Sequence, residues 1–332
     1  MHKIRYGIIG FGGFAEKAIA PALQASPNSE LVAIQKRSAE EARAKAREFS
    51  VRWSFSRVEE LVAHPDVDAV FIVSANFRHH PETLAAAAAG KHVLVEKPMA
   101  MNVKECEEMI EACRKAGVRL MVGHMIRFST AIRRVRELIS SGALGRITFA
   151  RADFFYDARL TKRNWLFDRT IAGGGPVFDV GVHCLDTLRF VLSDDVSSAT
   201  GHIFPTPTET STEATASISL QFKSGIPASI YCSYEALTRR SFLEIIGMEA
   251  MLSVSDFTLG DRTITINLGR RIDGNRVESV REEIAVPNLY IEEITHFSNC
   301  ILENREPLIP GHVGLENQRV LDAIVGNAIY RS

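Results

Sequence analysis

A chain of 332 residues, 46% hydrophobic and 24% charged, has the make-up of an ordinary soluble globular protein, and its length points to two domains rather than one. A formal net charge of −1 gives no electrostatic reason to expect nucleic acid or an anionic membrane as partner. No run approaches the ~18 apolar residues of a membrane span. The opening "MHKIRYGIIG" enters a strand with no charged-then-apolar leader, so a cytoplasmic protein is expected. The five cysteines, Cys106, Cys113, Cys184, Cys232 and Cys300, include no C-x-x-C pair and read as buried, reduced thiols.

The first 122 residues alternate between two periods. Strand-like runs are "KIRYGII", "LVAIQ", "DAVFIV", "HVLVE" and "RLMVG", with helical patterns between them. "SAEEARAKAREF" starts at Ser38 with Glu41 three residues on, a capping box, and "SRVEELVAH" repeats the pattern with Ser56 and Glu59. "NVKECEEMIEACRKAG" starts at Asn102, has Glu105 three on, and stops at Gly117, a C-terminal glycine. Short apolar strands alternating with helices predict a parallel sheet covered on both faces. After Gly123 the pattern changes. An amphipathic helix "STAIRRVRELISSG" and a strand "RITFARADFFY" precede a loop and helix over about 165–192. Then come "EATASISLQF", "PASIYCSY", "SFLEIIG", "AMLSVS" and "TITINLG", consecutive strands that predict an antiparallel or mixed sheet with one open face. Helical patterns over 288–303 and 312–331 close the chain.

The turn "GIIGFGGFA" places Gly10, Gly12 and Ala15 as G-x-G-x-x-A between the first strand and the first helix, around Phe11, Gly13 and Phe14. The first glycine makes the tight turn, the second lets a pyrophosphate approach, and the small third residue packs helix on sheet. The helix N-terminus then offers N–H groups and a positive dipole end to phosphates, so a dinucleotide site is expected; a tight turn with no ligand is the plainer alternative. An NAD site usually carries an acid at the end of the second strand. Here the text is Lys36, Arg37, Ser38, two cations and a hydroxyl that suit a 2′-phosphate. NADP(H) is therefore expected over NAD(H), which stays possible; two solvated surface cations are the plainer alternative.

In "GGGPVFDVGVHCLDTLRFVL", Asp179 and His183 stand at i, i+4 after Gly173, Gly174 and Gly175. If Pro176 opens a helix, the two share a face. A carboxylate that orients a histidine suits general acid/base work near neutral pH, while a helix-surface ion pair accounts for the same spacing. No further His/Cys cluster stands nearby, so a metal site is not expected.

These pieces, "GIIGFGGFA", "VEKP" after the fifth strand and "GGGPVFDVGVH", together resemble the glucose–fructose oxidoreductase/inositol dehydrogenase/rhizopine-catabolism (Gfo/Idh/MocA) family. The resemblance runs over essentially the whole chain, including "VGHMIRFSTAIRRVRELISSGALGRI" and "VLDAIVGNAIYRS". It implies an α/β protein: a Rossmann doubly wound parallel sheet over 1–122, then an α/β domain over 123–332 with an open-faced, mainly antiparallel mixed sheet. The last helix is free to pack back on the first domain. It further implies a nicotinamide coenzyme, hydride transfer at a carbinol or carbonyl carbon of a sugar, inositol or related polyol, and a homodimer or homotetramer built on the open sheet.

The family's E-K-P lysine falls on Lys97, its D-x-x-x-H pair on Asp179 and His183, and its histidine after the fourth strand on His79. Ser74 and Ala75 stand where Thr-Pro is usual, with Asn76 retained, and Leu166 follows Trp165 where arginine is common. On this resemblance His183 is the general base or acid oriented by Asp179. Lys97 stabilises the reacting oxygen or moves the proton itself, and Glu96 bonds the coenzyme ribose or pairs with Lys97. Ser74, Asn76, Arg127 and Trp165 are further coenzyme contacts, and Arg163 and His80 weaker candidates. An NAD-dependent glycosidase working by transient oxidation, or a non-enzymatic dinucleotide-sensing regulator, are the alternatives.

Overall fold

The computed structural model describes residues 3–274, 276–326 and 329–332. They form two compact units, one running to His124 and taking in Tyr290–Gln318, the other made of Met125–Leu289 and Arg319–Ser332. The sequence placed 123–332 in a second domain with its last helix free to pack back on the first; in the structure the late segment Tyr290–Gln318 belongs to the first unit.

In the first unit the elements are β1 (Ile4–Ile9), α1 (Ala20–Ala25), β2 (Ser29–Gln35), α2 (Ala39–Glu48), β3 (Trp53–Phe55), α3 (Val58–Val62), β4 (Ala69–Ile72), α4 (His79–Ala88), β5 (His92–Glu96), α5 (Val103–Ala116) and β6 (Leu120–Gly123). All six strands are parallel, in the order β3-β2-β1-β4-β5-β6. The central strands are apolar and buried because helices cover both faces. The order reverses between β1 and β4, and in such sheets ligands bind beyond the strand ends at that reversal. Ser38 caps α2 through the Glu41 N–H, and Asn102 caps α5 through the Glu105 N–H. Gly117 ends α5 in the left-handed region at φ 68°. The α3 cap differs from expectation: the Arg57 N–H donates to Glu60 (3.4 Å), and Ser56 instead offers its carbonyl to Gln35 Nε2 (3.0 Å). Strand β3 is only three residues long at a sheet edge, too short for an alternating pattern to show.

The second unit contains α6 (Thr130–Ser140), β7 (Ile147–Phe155), α7 (Arg169–Ala172), α8 (Val182–Leu192), β8 (Val196–Phe204), β9 (Thr215–Phe222), β10 (Pro227–Ser233), β11 (Arg240–Gly247), β12 (Ala250–Ser255), β13 (Arg262–Asp273) and β14 (Arg276–Val286). Helices α9 (Leu289–Leu302) and α10 (Gly311–Val325) and strand β15 (Tyr330–Arg331) follow. The nine-stranded sheet runs β14-β13-β12-β11-β7-β10-β9-β8-β15, parallel at β7–β10 and otherwise antiparallel. One face carries the core: along β9, Ala216, Ile218, Leu220 and Phe222 are buried while Ser217, Ser219 and Gln221 are exposed. Strand β14 escaped the sequence reading because its charges occupy both faces, leaving no alternation. The final helix was expected to reach 331. It ends at Val325, residues 327–328 lie outside the described residues, and Tyr330 pairs with Ala199 of β8. Among the described residues no helix is long and apolar enough to cross a membrane.

Candidate active site

The glycine turn is built by close approach. Gly10 has φ 84°, and a Cβ there would lie 2.7 Å from Ser74 Cα and N, so only glycine lets the β1 and β4 loops meet. At Gly13 a Cβ would meet nothing within 4 Å, and at Gly12 only the Gly10 carbonyl at 3.9 Å. The side over the helix start is therefore open enough for a phosphate to approach the backbone. A wide π-type turn, Ala15–Ile19, lies in the helix that α1 continues. The helical run starts at Gly13, and the Glu16 N–H already donates to the Gly12 carbonyl (2.9 Å), so the N–H groups that geometry leaves without an intrahelical acceptor are those of Gly13, Phe14 and Ala15. The residues present thus fit a dinucleotide pyrophosphate.

Several expected coenzyme contacts have other work. Phe11 is buried, its ring edge-on to Phe49 (5.3 Å), and its N–H donates to the Gln35 carbonyl (2.9 Å). Phe14 is exposed and stacks edgewise on Tyr290 (5.6 Å). The Ser74 hydroxyl donates to Glu82 (2.6 Å), and the Ser38 oxygen accepts the Glu41 N–H (3.3 Å), which leaves its own O–H as a donor. Lys36 Nζ sits 3.2 Å from Glu41 and 3.4 Å from the Phe11 carbonyl, at the edge of the glycine turn, whereas Arg37 is exposed and makes no ion pair among the described residues. Asn76 is buried at the start of the loop after β4.

His79 is the clearest correction. Its ring is enclosed, Nδ1 lying 2.9 Å from the Pro98 carbonyl and Nε2 3.1 Å from the Ser74 carbonyl. Burial pushes its pKa down to about 4, which keeps the ring neutral. As a neutral ring it donates to only one of these carbonyls, and its position holds the β4 loop beside the residue after Lys97. Lys97, half-buried, stands at the end of β5 and precedes a cis peptide to Pro98; its N–H donates to Glu96 (3.2 Å), itself buried. His80 is engaged by Glu108 at 2.8 Å.

In the second unit a π-type turn, Val177–Gly181, leads into α8 and carries Asp179. Asp179 and His183 are both buried, which removes the plain surface ion pair as an explanation of their spacing. The Tyr156 hydroxyl donates to Asp179 Oδ2 (2.7 Å) and accepts from Arg163 Nη2 (2.8 Å), and the Arg163 guanidinium also stands 3.6 Å from that oxygen. Burial and the Asp179 carboxylate hold the Tyr156 phenol well above its ordinary pKa, so it remains a donor. The His183 ring lies 6.0 Å from that of Phe154. Tyr156 was absent from the sequence reading; 23 residues separate it from Asp179, and nothing local signals the contact. Arg127 corrects another expectation: its Nε and Nη2 form a buried fork on Asp186 (2.8 and 2.7 Å), with Phe190 beneath the guanidinium (5.2 Å), so the group is committed to packing. Trp165 is half-buried against the second unit's core. Among the described residues no cluster of His, Cys, Asp and Glu could hold a metal.

Comparison with known proteins fits this geometry. Residues 4–124 match the model for the oxidoreductase family with an NAD-binding Rossmann fold, and residues 132–253 the model for the GFO/IDH/MocA C-terminal domain. The chain is 34% identical over 315 residues to 1,5-anhydro-D-fructose reductase of Ensifer adhaerens, covering 94% of this chain and 92% of that one. It is also 34% identical over 235 residues to mouse trans-1,2-dihydrobenzene-1,2-diol dehydrogenase, covering 69% and 68%. Among solved structures, the aldose-aldose oxidoreductase of Caulobacter crescentus, complexed with glycerol, superposes with a TM-score of 0.89 at 27% identity over the whole of both chains. An open glycine turn at the reversal of a six-stranded parallel sheet, a lysine closing β5, a buried Asp–His helix on a second open sheet and these matches have one consequence: the chain belongs to the Gfo/Idh/MocA family of NAD(P)-dependent oxidoreductases.

Proposed function

We propose that the enzyme oxidises or reduces one carbinol or carbonyl carbon of a sugar, inositol or related polyol, with NADP(H) as preferred coenzyme. The observation that carries the reading is the hydrogen-bonded chain Arg163–Tyr156–Asp179, buried at Tyr156 and Asp179 and half-exposed at Arg163, which ends on the turn leading into the helix of His183. A polar network of this kind is costly to bury unless it is used or fully satisfied. The relatives' substrates, an anhydrofructose, a cyclic diol and aldoses by name, support the polyol class.

A nicotinamide coenzyme held at the Gly10–Ala15 turn would supply the hydride donor or acceptor for the reacting carbon. His183 takes the proton from the substrate hydroxyl in oxidation and returns it in reduction, oriented by Asp179, whose Oδ2 is fixed by Tyr156. Lys97 is assigned the stabilisation of developing alkoxide charge, an effect of about 3 kcal/mol for one well-placed donor. Lys36, Arg37 and Ser38 follow β2, where a 2′-phosphate would be recognised, and the first two supply the positive charge. The reading includes a cytoplasmic location and a homodimer or homotetramer on the open face of the second sheet. Exposed Met251 and Val277, which flank Gly269 there, support that interface.

A spectrophotometric screen of aldoses, anhydrosugars, inositols and cyclic diols with NADP+ and NAD+, in both directions, tests the proposal. Turnover of at least one polyol is expected. Lys97→Met should lower it about a thousandfold while leaving coenzyme affinity within a few-fold. No turnover with either coenzyme sinks the reading in favour of a dinucleotide sensor, and near-normal turnover in Lys97→Met removes the lysine from the mechanism.

A further inference from the structure

The glycine run ahead of Asp179 and His183 is gripped by a residue with no part in the scheme above. Glu213, just before β9, is fully buried, and a single carboxylate oxygen accepts both the Gly175 N–H (2.9 Å) and the Val177 N–H (3.1 Å). Those are N–H groups at the start of the helical run Val177–Leu192, which no intrahelical carbonyl can satisfy. Helix starts are ordinarily capped by the residue just before them. Here the acceptor comes from 36 and 38 residues along the chain.

The grip is two-sided. A Cβ on Gly175 would lie 2.0 Å from the Glu213 carbonyl oxygen, so the backbone of residue 213 presses on the same glycine that its side chain bonds. The strap continues upstream, with Thr212 Oγ1 donating to the Leu166 carbonyl (3.2 Å) and the Arg169 N–H donating to that of Thr210 (3.1 Å). The arrangement has a cost. Oε2 of Glu213 is buried without a hydrogen-bond partner among the described residues, and an unsatisfied buried carboxyl oxygen is unfavourable. What the distant carboxyl adds is a fixed attachment of the helix start to the strand framework. Asp179 lies two residues beyond Val177, about 3 Å along the axis, and His183 about 9 Å.

We propose that Glu213 is a positioning residue for proton transfer: by holding the Gly175 and Val177 N–H groups it sets the placement of Asp179 and His183. This rests on the reading of His183 as the proton-transfer group. Four variants test it: Glu213→Ala, Glu213→Gln, His183→Ala and the double variant Glu213→Ala/His183→Ala. Glu213→Ala should lower kcat about tenfold to a hundredfold, the scale of a remote displacement near 1 Å, with KM and coenzyme affinity within a few-fold. Glu213→Gln, whose amide oxygen still accepts both N–H groups, should recover most of the loss. The double variant should be no slower than His183→Ala alone, because the two act through one group. If Glu213→Ala does not fold, Glu213→Asp, one methylene short, replaces it and carries the same expectation for kcat. A folded Glu213→Ala or Glu213→Asp with near-normal kcat overturns the proposal, as does a double variant in which the two losses multiply. Near-normal turnover in His183→Ala overturns the reading of His183 itself; an inactive His183→Ala beside a normal Glu213 variant overturns only the role of Glu213.

Discussion

The two cations after β2 are not equivalent. Lys36 Nζ is already shared between Glu41 and the Phe11 carbonyl, while Arg37 is exposed and makes no ion pair among the described residues. A 2′-phosphate would gain most from Arg37, whose planar fork can bond two phosphate oxygens. Charged hydrogen bonds of this kind contribute roughly 1.5–3 kcal/mol. Arg37→Glu should therefore weaken NADPH binding by about tenfold to a hundredfold and change NADH far less, as read by fluorescence titration. Tighter binding of NADH than of NADPH by the unaltered protein would reverse the assignment. The placement of these residues in the fold was legible in the sequence, because Gly10–Ala15 and Lys36–Ser38 each follow the end of a strand. Arg127 and His79 were legible as types but not as partners. The fork of Arg127 closes on Asp186, 59 residues away, and both ring nitrogens of His79 face backbone carbonyls that no side-chain pattern announces.

At the scale of elements, α9 carries an unusual acid. Glu293 is fully buried, and neither carboxyl oxygen has a hydrogen-bond partner among the described residues. Burial, with the nearby charge of Glu96 adding to it, raises its pKa well above the ordinary carboxylate value, so the folded protein holds it as the neutral acid. The folded pKa exceeds the unfolded one. Its favourable contribution is therefore complete below the unfolded pKa of about 4.3 and is lost as pH rises through the folded value. Glu293→Gln carries no such linkage. Its melting temperature relative to the unaltered protein should climb between pH 5 and pH 9, by an amount equivalent to about 1 kcal/mol or more. A gap that stays flat with pH would show that Glu293 ionises freely in the fold. The sequence marked 288–303 as helical, and nothing in that local pattern distinguishes the buried Glu293 from Glu292 beside it. Local pattern fixes which residues form a helix, not which polar side chain ends against another element. Glu213 and Tyr156 were missed for the same reason, and β14 because its charges hide the period of two.

At the scale of the whole molecule, the first unit is discontinuous, and its late segment is structural. Within that unit the Tyr6 hydroxyl meets Ser298 (2.9 Å), and Asn28 Nδ2 donates to the Thr295 carbonyl (3.0 Å) and to Asn299 (2.7 Å). The Val122 N–H donates to the Ile309 carbonyl (3.0 Å), and Asn317 Nδ2 meets His124 Nε2 (3.1 Å). Ile294, Phe297 and Cys300 are fully buried on the same helix. Each large apolar side chain so buried contributes roughly 1.5–3 kcal/mol, and each polar group stripped of its partner in a buried setting costs about 1–3 kcal/mol. A domain is stable by only about 5–15 kcal/mol, so losing this segment removes an amount comparable with the whole margin. The familiar strand-and-helix alternation stops at residue 123 and invites a cut there, because alternation reports which strands pair and not what covers the sheet. A fragment ending at His124 should therefore be poorly folded, with no cooperative thermal transition by circular dichroism and no NADPH binding. The same fragment joined by a short flexible linker to 290–318 should melt cooperatively and bind NADPH within about tenfold of the full chain, since the glycine turn and Lys36–Ser38 all lie within it. If the short fragment alone melts and binds as well as the fusion, α9 and its contacts are dispensable to the coenzyme domain, and the buried bonds to Tyr6 and Asn28 contribute nothing measurable to its stability.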